Sequence, residues 1–140
     1  MYISRRGIMT DGGVPCSLAT AIKTAVGAQA TFTGYGKLAA RTATQGECDL
    51  CGAGGKPLGV FVDCSPKGDS GTVETRGFVE VATTKAAPAV GDILTTGAAG
   101  VLVACVTPGA PTLGELTAGC WEVDEVISST VVLIQIDARL

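Results

Sequence analysis

PLGVFVDCSPKGDSGTVETRGFVEV, residues 57–81, is the stretch of sequence that decides the fold. Both halves alternate between apolar and polar residues, as strands do when successive side chains point to opposite faces. Leu58, Val60 and Val62 share one face of the first strand. The residues that share one face of the second strand are Val73, Thr75, Val79 and Val81. Residues 65–69, SPKGD, are turn formers, so the stretch predicts a β-hairpin with one face toward a core.

The composition favours short strands and tight turns. Charged residues make up 16% of the chain, against about 25% in an average soluble protein. Gly occurs 20 times, and small and β-branched residues are abundant. The 140 residues suffice for one domain with its own core. Few charges and a net charge of −3 suit an isolated small β domain, and slightly favour a subunit covered by its neighbours.

The sequence disfavours several kinds of partner. Its ten Lys and Arg residues are scattered and the charge balance is acidic, so we expect no nucleic acid binding. No apolar run reaches the about 18 residues of a membrane helix, so we expect no membrane partner. The N-terminus lacks the apolar core of a secretion signal, which predicts folding in a cytoplasm. Histidine is absent, which removes the commonest general base and metal ligand.

The first third of the chain is harder to interpret than the hairpin. Residues 1–13 are predicted to form an N-terminal arm and residues 14–140 a single β domain. Residues 15–30 fit either one short helix or an irregular strand, because helical spacing competes with several Thr residues. Residues 31–41 predict a strand. Its predicted core residues are Phe32 and Leu38.

Gly and Pro punctuate the remaining chain at strand-like intervals. Residues 42–56 and 107–119 are predicted loops, residues 93–106 a second hairpin, and residues 120–127 and 130–138 further strands. Residues 131–134 are apolar on both faces, which predicts a doubly covered strand. The sequence therefore predicts a mainly β protein: a small β-sandwich or barrel-like domain of short antiparallel hairpins, with at most one short helix.

Residues 68–71, GDSG, match the nucleophile motif of chymotrypsin-like serine proteases. The serine of that family needs a histidine to take its proton, and this chain has none. We therefore interpret the motif as a hairpin tip, in which Asp69 and Ser70 cap the turn.

Cys48 and Cys51 have the spacing at which two thiolates reach one tetrahedral ion, or at which two thiols oxidise together. A structural zinc ion needs four ligands, and no second C-x-x-C is present among the six cysteines. A disulfide is the second interpretation. The third is that most of the cysteines are small buried apolar side chains. We expect no bound metal and no cofactor.

Glu122 and Asp124 share one face of the predicted strand over residues 120–127. Paired carboxylates can serve acid–base catalysis, but two exposed acids on a strand are usually a solvated face. No glycine pattern for phosphate or dinucleotide binding follows a strand and opens a helix. We therefore expect no enzymatic activity.

Several strand and turn patterns resemble the small capsid cement, or decoration, proteins of tailed bacteriophages. The matching residues are 57–63 (PLGVFVD), 68–69 (GD), 73–81 around Arg76-Gly77, 89–94 (AVGDIL) and the Val/Ile-rich run 131–136. In that family a P-x-G-V-A strand is followed by a G-x-x-V-x-V-x-x-x-G strand and an A-x-x-G-D loop. The resemblance covers residues 32–136. The six cysteines, the Cys48–Cys51 loop and the longer N-terminal segment depart from it.

The resemblance implies a non-enzymatic virion structural protein on the outside of an icosahedral phage capsid. Proteins of that family commonly bind as homotrimers at threefold or quasi-threefold positions between capsomers, where they stabilise the expanded shell. The implied partners are the major capsid protein and other copies of this chain, with the host cytoplasm as the place of assembly.

The arm supplies the predicted capsid contacts. They are Tyr2, Ile3, Arg5, Arg6 and Ile8, because a short arm can add a strand to a neighbouring sheet and two arginines can pair with acidic groups. The alternative function is a small cysteine-containing module, linked to a metal or to redox chemistry through Cys48 and Cys51. A hydrolase or lyase that uses the acidic strand is a third hypothesis.

Overall fold

The computed structural model describes residues 13–19, 22, 32–65 and 69–137. Its strands are β1 (Gly13–Leu18), β2 (Leu38–Arg41), β3 (Glu47–Leu50), β4 (Gly59–Cys64), β5 (Ser70–Glu74), β6 (Arg76–Ala82), β7 (Ile93–Thr96), β8 (Leu102–Ala104), β9 (Cys120–Glu122), β10 (Glu125–Ser128) and β11 (Val131–Asp137). A 3-10 turn spans Ala98–Gly100, and the short helix α1 spans Leu113–Ala118. The predicted fold class, a small mainly β domain, is confirmed.

Five strands close into a barrel in the order β1-β3-β2-β4-β5, with β5 pairing back onto β1. The β1–β3 pair is parallel, and the other four pairs are antiparallel. Two registered pairs hold the parallel seam, Ser17 with Glu47 and Leu18 with Cys48. The seam is short compared with the β1–β5 pairing, which has five registered pairs.

Two three-stranded sheets flank the barrel, in the orders β10-β11-β6 and β8-β7-β9. Thr75 alone separates β5 from β6, so one nearly continuous strand passes from the barrel into the first of these sheets. Gly77 follows the junction with a φ of 104°, a left-handed conformation that favours glycine. Thr75 itself is buried.

Two hydrophobic clusters fill the molecule. The first contains residues from all five barrel strands, namely Cys16, Leu18, Ala39, Cys48, Phe61, Cys64 and Val73, with Ile22, Phe32 and Leu58. The second joins Leu38 and Val60 of the barrel to the flanking sheets through Val79, Val81, Leu94, Leu102, Val123, Val132, Ile134 and Ile136, with Cys51. The barrel strands β2 and β4 therefore have a core on each side.

The structure confirms the predicted hairpin over residues 57–81, because β4 and β5 pair antiparallel. Its tip, residues 66–68, lies outside the described residues. The predicted inward face of the second strand is buried, but it meets two cores: Val73 lies in the first cluster and Val79 in the second. The first strand differs from the prediction, since Phe61 on the opposite face is also buried.

The other strand predictions have mixed outcomes. The hairpin over residues 93–106 is confirmed by the β7–β8 pair, and β11 is a central strand between β10 and β6. Residues 31–41 hold Phe32 and Leu38 in the core as predicted, but only β2 is a strand there and residues 33–36 form turns.

Three predictions were wrong. The predicted loop over residues 42–56 contains strand β3 (Glu47–Leu50), which pairs with both β1 and β2. The single strand over residues 120–127 is two strands, β9 on β7 and β10 on β11, because the chain changes sheets at Val123 and Asp124. The predicted loop over residues 107–119 contains α1. Residues 15–18 belong to β1, so this part of the ambiguous segment is a strand. The boundary between the arm and the domain stays a prediction, since residues 1–12 lie outside the described residues.

Candidate functional site

Helix α1 is anchored at both ends by local hydrogen bonds. Thr112 Oγ1 accepts from the Glu115 N–H at 3.2 Å, and Glu115 Oε1 accepts from the Thr112 N–H at 2.8 Å, which together form a capping box. At the other end the Gly119 N–H donates to the Glu115 carbonyl oxygen at 2.8 Å. A helix of six residues is too short to persist on its own, so these bonds define its position.

The Glu115 carboxylate also ties the preceding loop to the helix. Its Oε2 atom accepts from the Val106 N–H at 3.0 Å. The two backbone N–H donors, Thr112 first and Val106 second, hold the pKa of Glu115 below its ordinary value because they favour the charged form. One carboxylate thus fixes both the helix and the loop that leads to it.

Apolar side chains on and beside α1 face solvent. Leu113 is 80% exposed, Leu116 is 58% exposed, and Val106 on the tethered loop is 84% exposed. Leu113 and Leu116 are three residues apart, which places them on neighbouring positions of the helix surface. Within α1 only Ala118 is buried. We call Val106, Leu113 and Leu116 the α1 surface. Contiguous apolar patches in water mark interaction sites, and these three exposed side chains lie on one helix and on the loop that Glu115 bonds to it.

A groove of about 390 Å³ runs beside the α1 surface. Leu116 and Trp121 line it together with Lys56, Pro57 and Ile136. The groove and the α1 surface share Leu116, so a partner that covers the helix can also place a side chain in the groove.

Glu122 and Asp124 both line a second groove. Val90 and Trp121 also line it. Both acids are exposed, Glu122 at the end of β9 and Asp124 in the passage to β10. This exposure is typical of a solvated face.

The described residues of the GDSG motif (residues 68–71) form hydrogen bonds within the turn of the first hairpin. Ser65 Oγ donates to Asp69 Oδ1 at 2.7 Å and accepts from the Ser70 N–H at 3.3 Å. The described part of the motif, residues 69–71, thus agrees with a hairpin tip. Ser70 begins β5 and is exposed.

The structure divides the predicted cysteine pair between the two cores. Cys48 belongs to the first hydrophobic cluster and Cys51 to the second, where its thiol donates to the Gly52 carbonyl oxygen at 3.5 Å. All six cysteines are free thiols. The thiol that contacts Cys48 is Cys16, which donates a hydrogen bond to its sulfur. Sequence spacing gave no signal for this pair, because the two residues are far apart in the chain and meet across the β1–β3 seam.

Cys16 and Cys48 both line a cavity of about 180 Å³ beneath the β2–β3 loop, together with Arg41, Glu47 and Leu58. The hydrogen bond from Cys16 lowers the pKa of Cys48, and the Arg41 charge adds to that effect. The same hydrogen bond and burial raise the pKa of Cys16. The pair therefore has one sulfur that favours the thiolate and one that favours the thiol.

Two absences concern only the described part of the chain. There, no three His, Cys, Asp or Glu side chains group as a metal site. Nor does any helix in these ranges have the length and apolar character needed to span a bilayer. The predicted capsid contacts Tyr2, Ile3, Arg5, Arg6 and Ile8 lie outside the described residues.

No protein-family model and no curated protein sequence matches the chain. The likeness to phage cement proteins therefore stays a resemblance in strand and turn patterns.

Proposed function

We propose that this chain is a non-enzymatic virion structural protein that binds the outer surface of an icosahedral phage capsid and stabilises the expanded shell. The observation that carries the proposal is the α1 surface, where Leu113, Leu116 and Val106 are held facing water by an anchored helix. Holding these side chains outward has a hydration cost that a covering protein surface would remove. The resemblance stated above supplies the class of partner.

Cementing needs no reaction. A protein that binds the assembled shell, and not its separated subunits, stabilises the shell by mass action. Many copies on a symmetric lattice add their contributions, so each contact can be weak. In this proposal the protein binds as a homotrimer at threefold or quasi-threefold positions between capsomers, where one surface contacts other copies and another contacts the major capsid protein.

In the proposal both the arm and the α1 surface contact the capsid. The arm residues Arg5 and Arg6 supply positive charge to an otherwise acidic chain, and Tyr2, Ile3 and Ile8 supply apolar contacts. Exposed ion pairs contribute only about 0–1 kcal/mol each, so we expect the apolar contacts to dominate the affinity.

Binding to phage heads tests the proposal. Purified protein is mixed with heads that lack it, and co-sedimentation and resistance of the heads to heat or chelator are measured. We expect the wild-type protein to bind and protect the heads, and the Leu113→Ser/Leu116→Ser variant to bind about tenfold more weakly or worse. Val126→Ser is the control, since Val126 is an exposed apolar side chain that lines neither the groove beside the α1 surface nor the second groove.

The outcomes separate the parts of the proposal. A wild-type protein that stays monomeric and ignores the heads overturns the function. Binding that the double variant leaves unchanged shows that the α1 surface is not the capsid contact, and removal of residues 1–12 then tests the arm. Retained binding by Val126→Ser shows that loss in the double variant is specific to α1.

The alternative is a metal- or redox-linked module using Cys48 and Cys51, which lie in different hydrophobic clusters. Metal analysis of the purified protein tests it directly, and one tightly held zinc ion per chain would favour it. The contact between Cys48 and Cys16 points instead to thiol chemistry at the barrel seam.

A further inference from the structure

The parallel β1–β3 seam brings two thiols together in a cavity. Cys16 lies in β1 and Cys48 in β3, and both belong to the cluster that fills the barrel. Both side chains line the cavity of about 180 Å³ beneath the β2–β3 loop. The register places Leu18 opposite Cys48, so Cys16 lies two residues along the same face of β1, diagonal to Cys48 in the shared cavity. A disulfide bond of about 2 Å therefore requires β1 to shift toward Cys48 of β3.

We infer that Cys16 and Cys48 form a reversible disulfide that fastens β1 to β3 and locks the closure of the barrel. The site is a modification site for a small disulfide reagent. The inference does not depend on the capsid function.

The chemistry is a two-step exchange. The Cys48 thiolate attacks one sulfur of a low-molecular-weight disulfide, which forms a mixed disulfide and releases one small thiolate. Cys16 then loses its proton and attacks the Cys48 sulfur, which forms the protein disulfide and releases the second small thiolate. The two protein thiols are oxidised, the small disulfide is reduced, and the two protons end on the two small thiols.

The surroundings assign the order of attack. The hydrogen bond from Cys16 and then the Arg41 charge favour the thiolate at Cys48 and outweigh burial and Glu47, which oppose it, so Cys48 is the first nucleophile. Both thiols are largely shielded, Cys16 at 8% and Cys48 at 2% exposure. Residues 43–46 of the β2–β3 loop, which line the cavity, are exposed, so outward movement of this loop admits the reagent.

The seam is the place where such a bond has most effect. Only two registered residue pairs hold β1 to β3. A bond from Cys16 to Cys48 closes a long loop of chain, and restricting such a loop in the unfolded state stabilises the folded state. We expect the oxidised protein to melt roughly 5–10 °C higher than the reduced protein.

Digestion at aspartate distinguishes this bond from the others that the sequence allows. Cleavage before Asp11, Asp49 and Asp63 leaves Cys16 and Cys48 on one peptide, residues 11–48. Cys51 then lies on residues 49–62 and Cys64 on the peptide that starts at Asp63. A Cys16–Cys48 bond appears as loss of two hydrogens within residues 11–48, whereas a Cys48–Cys51 bond joins two peptides.

The experiment treats the full chain with hydroxyethyl disulfide, blocks free thiols with iodoacetamide, and maps the peptides by mass spectrometry. We expect the internal loss of two hydrogens in residues 11–48, reversal by dithiothreitol, and the rise in Tm. Cys51→Ala is the matched control and keeps both effects, whereas Cys48→Ala loses both. A peptide 11–48 with two blocked thiols, or a cross-link from it to residues 49–62, overturns the inference. The mapping uses the wild-type chain, so it stands even where a variant fails to fold.

Discussion

Thr112 and Glu115 each hydrogen-bond to the other's backbone at the start of α1, at 3.2 Å and 2.8 Å. This reciprocal pair holds a six-residue helix whose exposed leucines form most of the α1 surface. The position of the surface thus depends on two polar residues.

Replacing Thr112 by Ala removes the capping hydroxyl and leaves the Glu115 N–H without its acceptor. We expect the free energy of unfolding to fall by about 1 kcal/mol, within a range of roughly 0.5–2 kcal/mol, in urea denaturation. Thr117→Ala is the matched control within the same helix. Its hydroxyl bonds only to the Leu113 carbonyl oxygen, and Ala has the higher helix propensity. Equal losses in both variants would show that the capping box has no special weight.

Gly59 in β4 lies against the backbone of β5. A Cβ at this position would collide with the Glu74 carbonyl oxygen and crowd Val73. We expect Gly59→Ala to lower the free energy of unfolding by about 1–3 kcal/mol, because the two strands must separate. Gly52→Ala is the control, since nothing lies within 4 Å of its Cβ position. The prediction fails if both variants have the same denaturation midpoint.

Phe61 has the largest fully buried side chain among the described residues, and it packs edge-on against Phe32 with 5.6 Å between ring centroids. Truncation to Ala would leave a cavity in the barrel. We expect Phe61→Ala to cost about 3–5 kcal/mol of unfolding free energy. Val90→Ala, at an exposed position, should change it by less than about 0.5 kcal/mol. A cost near 1 kcal/mol for Phe61→Ala would mean that the barrel collapses around the space.

We expect the Asp92 carboxylate to cause part of the pH dependence of the protein's stability. Its Oδ2 atom accepts from the Ala89 N–H at 2.8 Å and pairs with Lys85 Nζ at 3.1 Å, and these contacts lower the pKa of Asp92. A carboxyl group whose pKa is lower in the folded than in the unfolded state stabilises the fold at pH values above its unfolded pKa, about 4. That stabilisation is lost as the pH falls through the folded pKa. We expect the Tm of Asp92→Asn to fall less than the Tm of the wild type when the pH is lowered from about 6 to about 3.

Lys85→Met separates the two contacts of Asp92. The Ala89 bond is the larger cause of the lowered pKa and survives in this variant. We therefore expect Lys85→Met to keep most of the wild-type pH dependence. If Lys85→Met and Asp92→Asn flatten the Tm profile equally, the ion pair and not the backbone bond is responsible.

Local sequence patterns predicted the elements that depend mainly on neighbouring residues, namely a hairpin and a central strand. Alternation over residues 57–81 gave the hairpin, and the doubly apolar run at residues 131–134 gave the central strand β11. Alternation continues unchanged through Thr75, so it could not show that the strand passes from the barrel to another sheet there. The signal for α1 was present in Thr112-x-x-Glu115, but the surrounding Gly and Pro residues favoured a loop.

At the candidate sites, too, sequence patterns missed the contacts that the fold determines. Spacing paired Cys48 with Cys51, but Cys48 in β3 and Cys51 just after it belong to different cores. The contact of Cys48 with Cys16 depends on the order of strands around the barrel, which spacing does not reveal. Outward-facing Leu113 and Leu116 also escaped sequence analysis, because composition cannot tell which side of a short helix meets water.

The passage of β5 into β6 through Thr75 has a consequence for how the molecule comes apart. One nearly continuous strand, with only Thr75 between its two parts, serves the barrel and the β10-β11-β6 sheet, so loss of one sheet removes support from a strand of the other. We expect the two cores to melt cooperatively, with one heat-absorption peak in calorimetry.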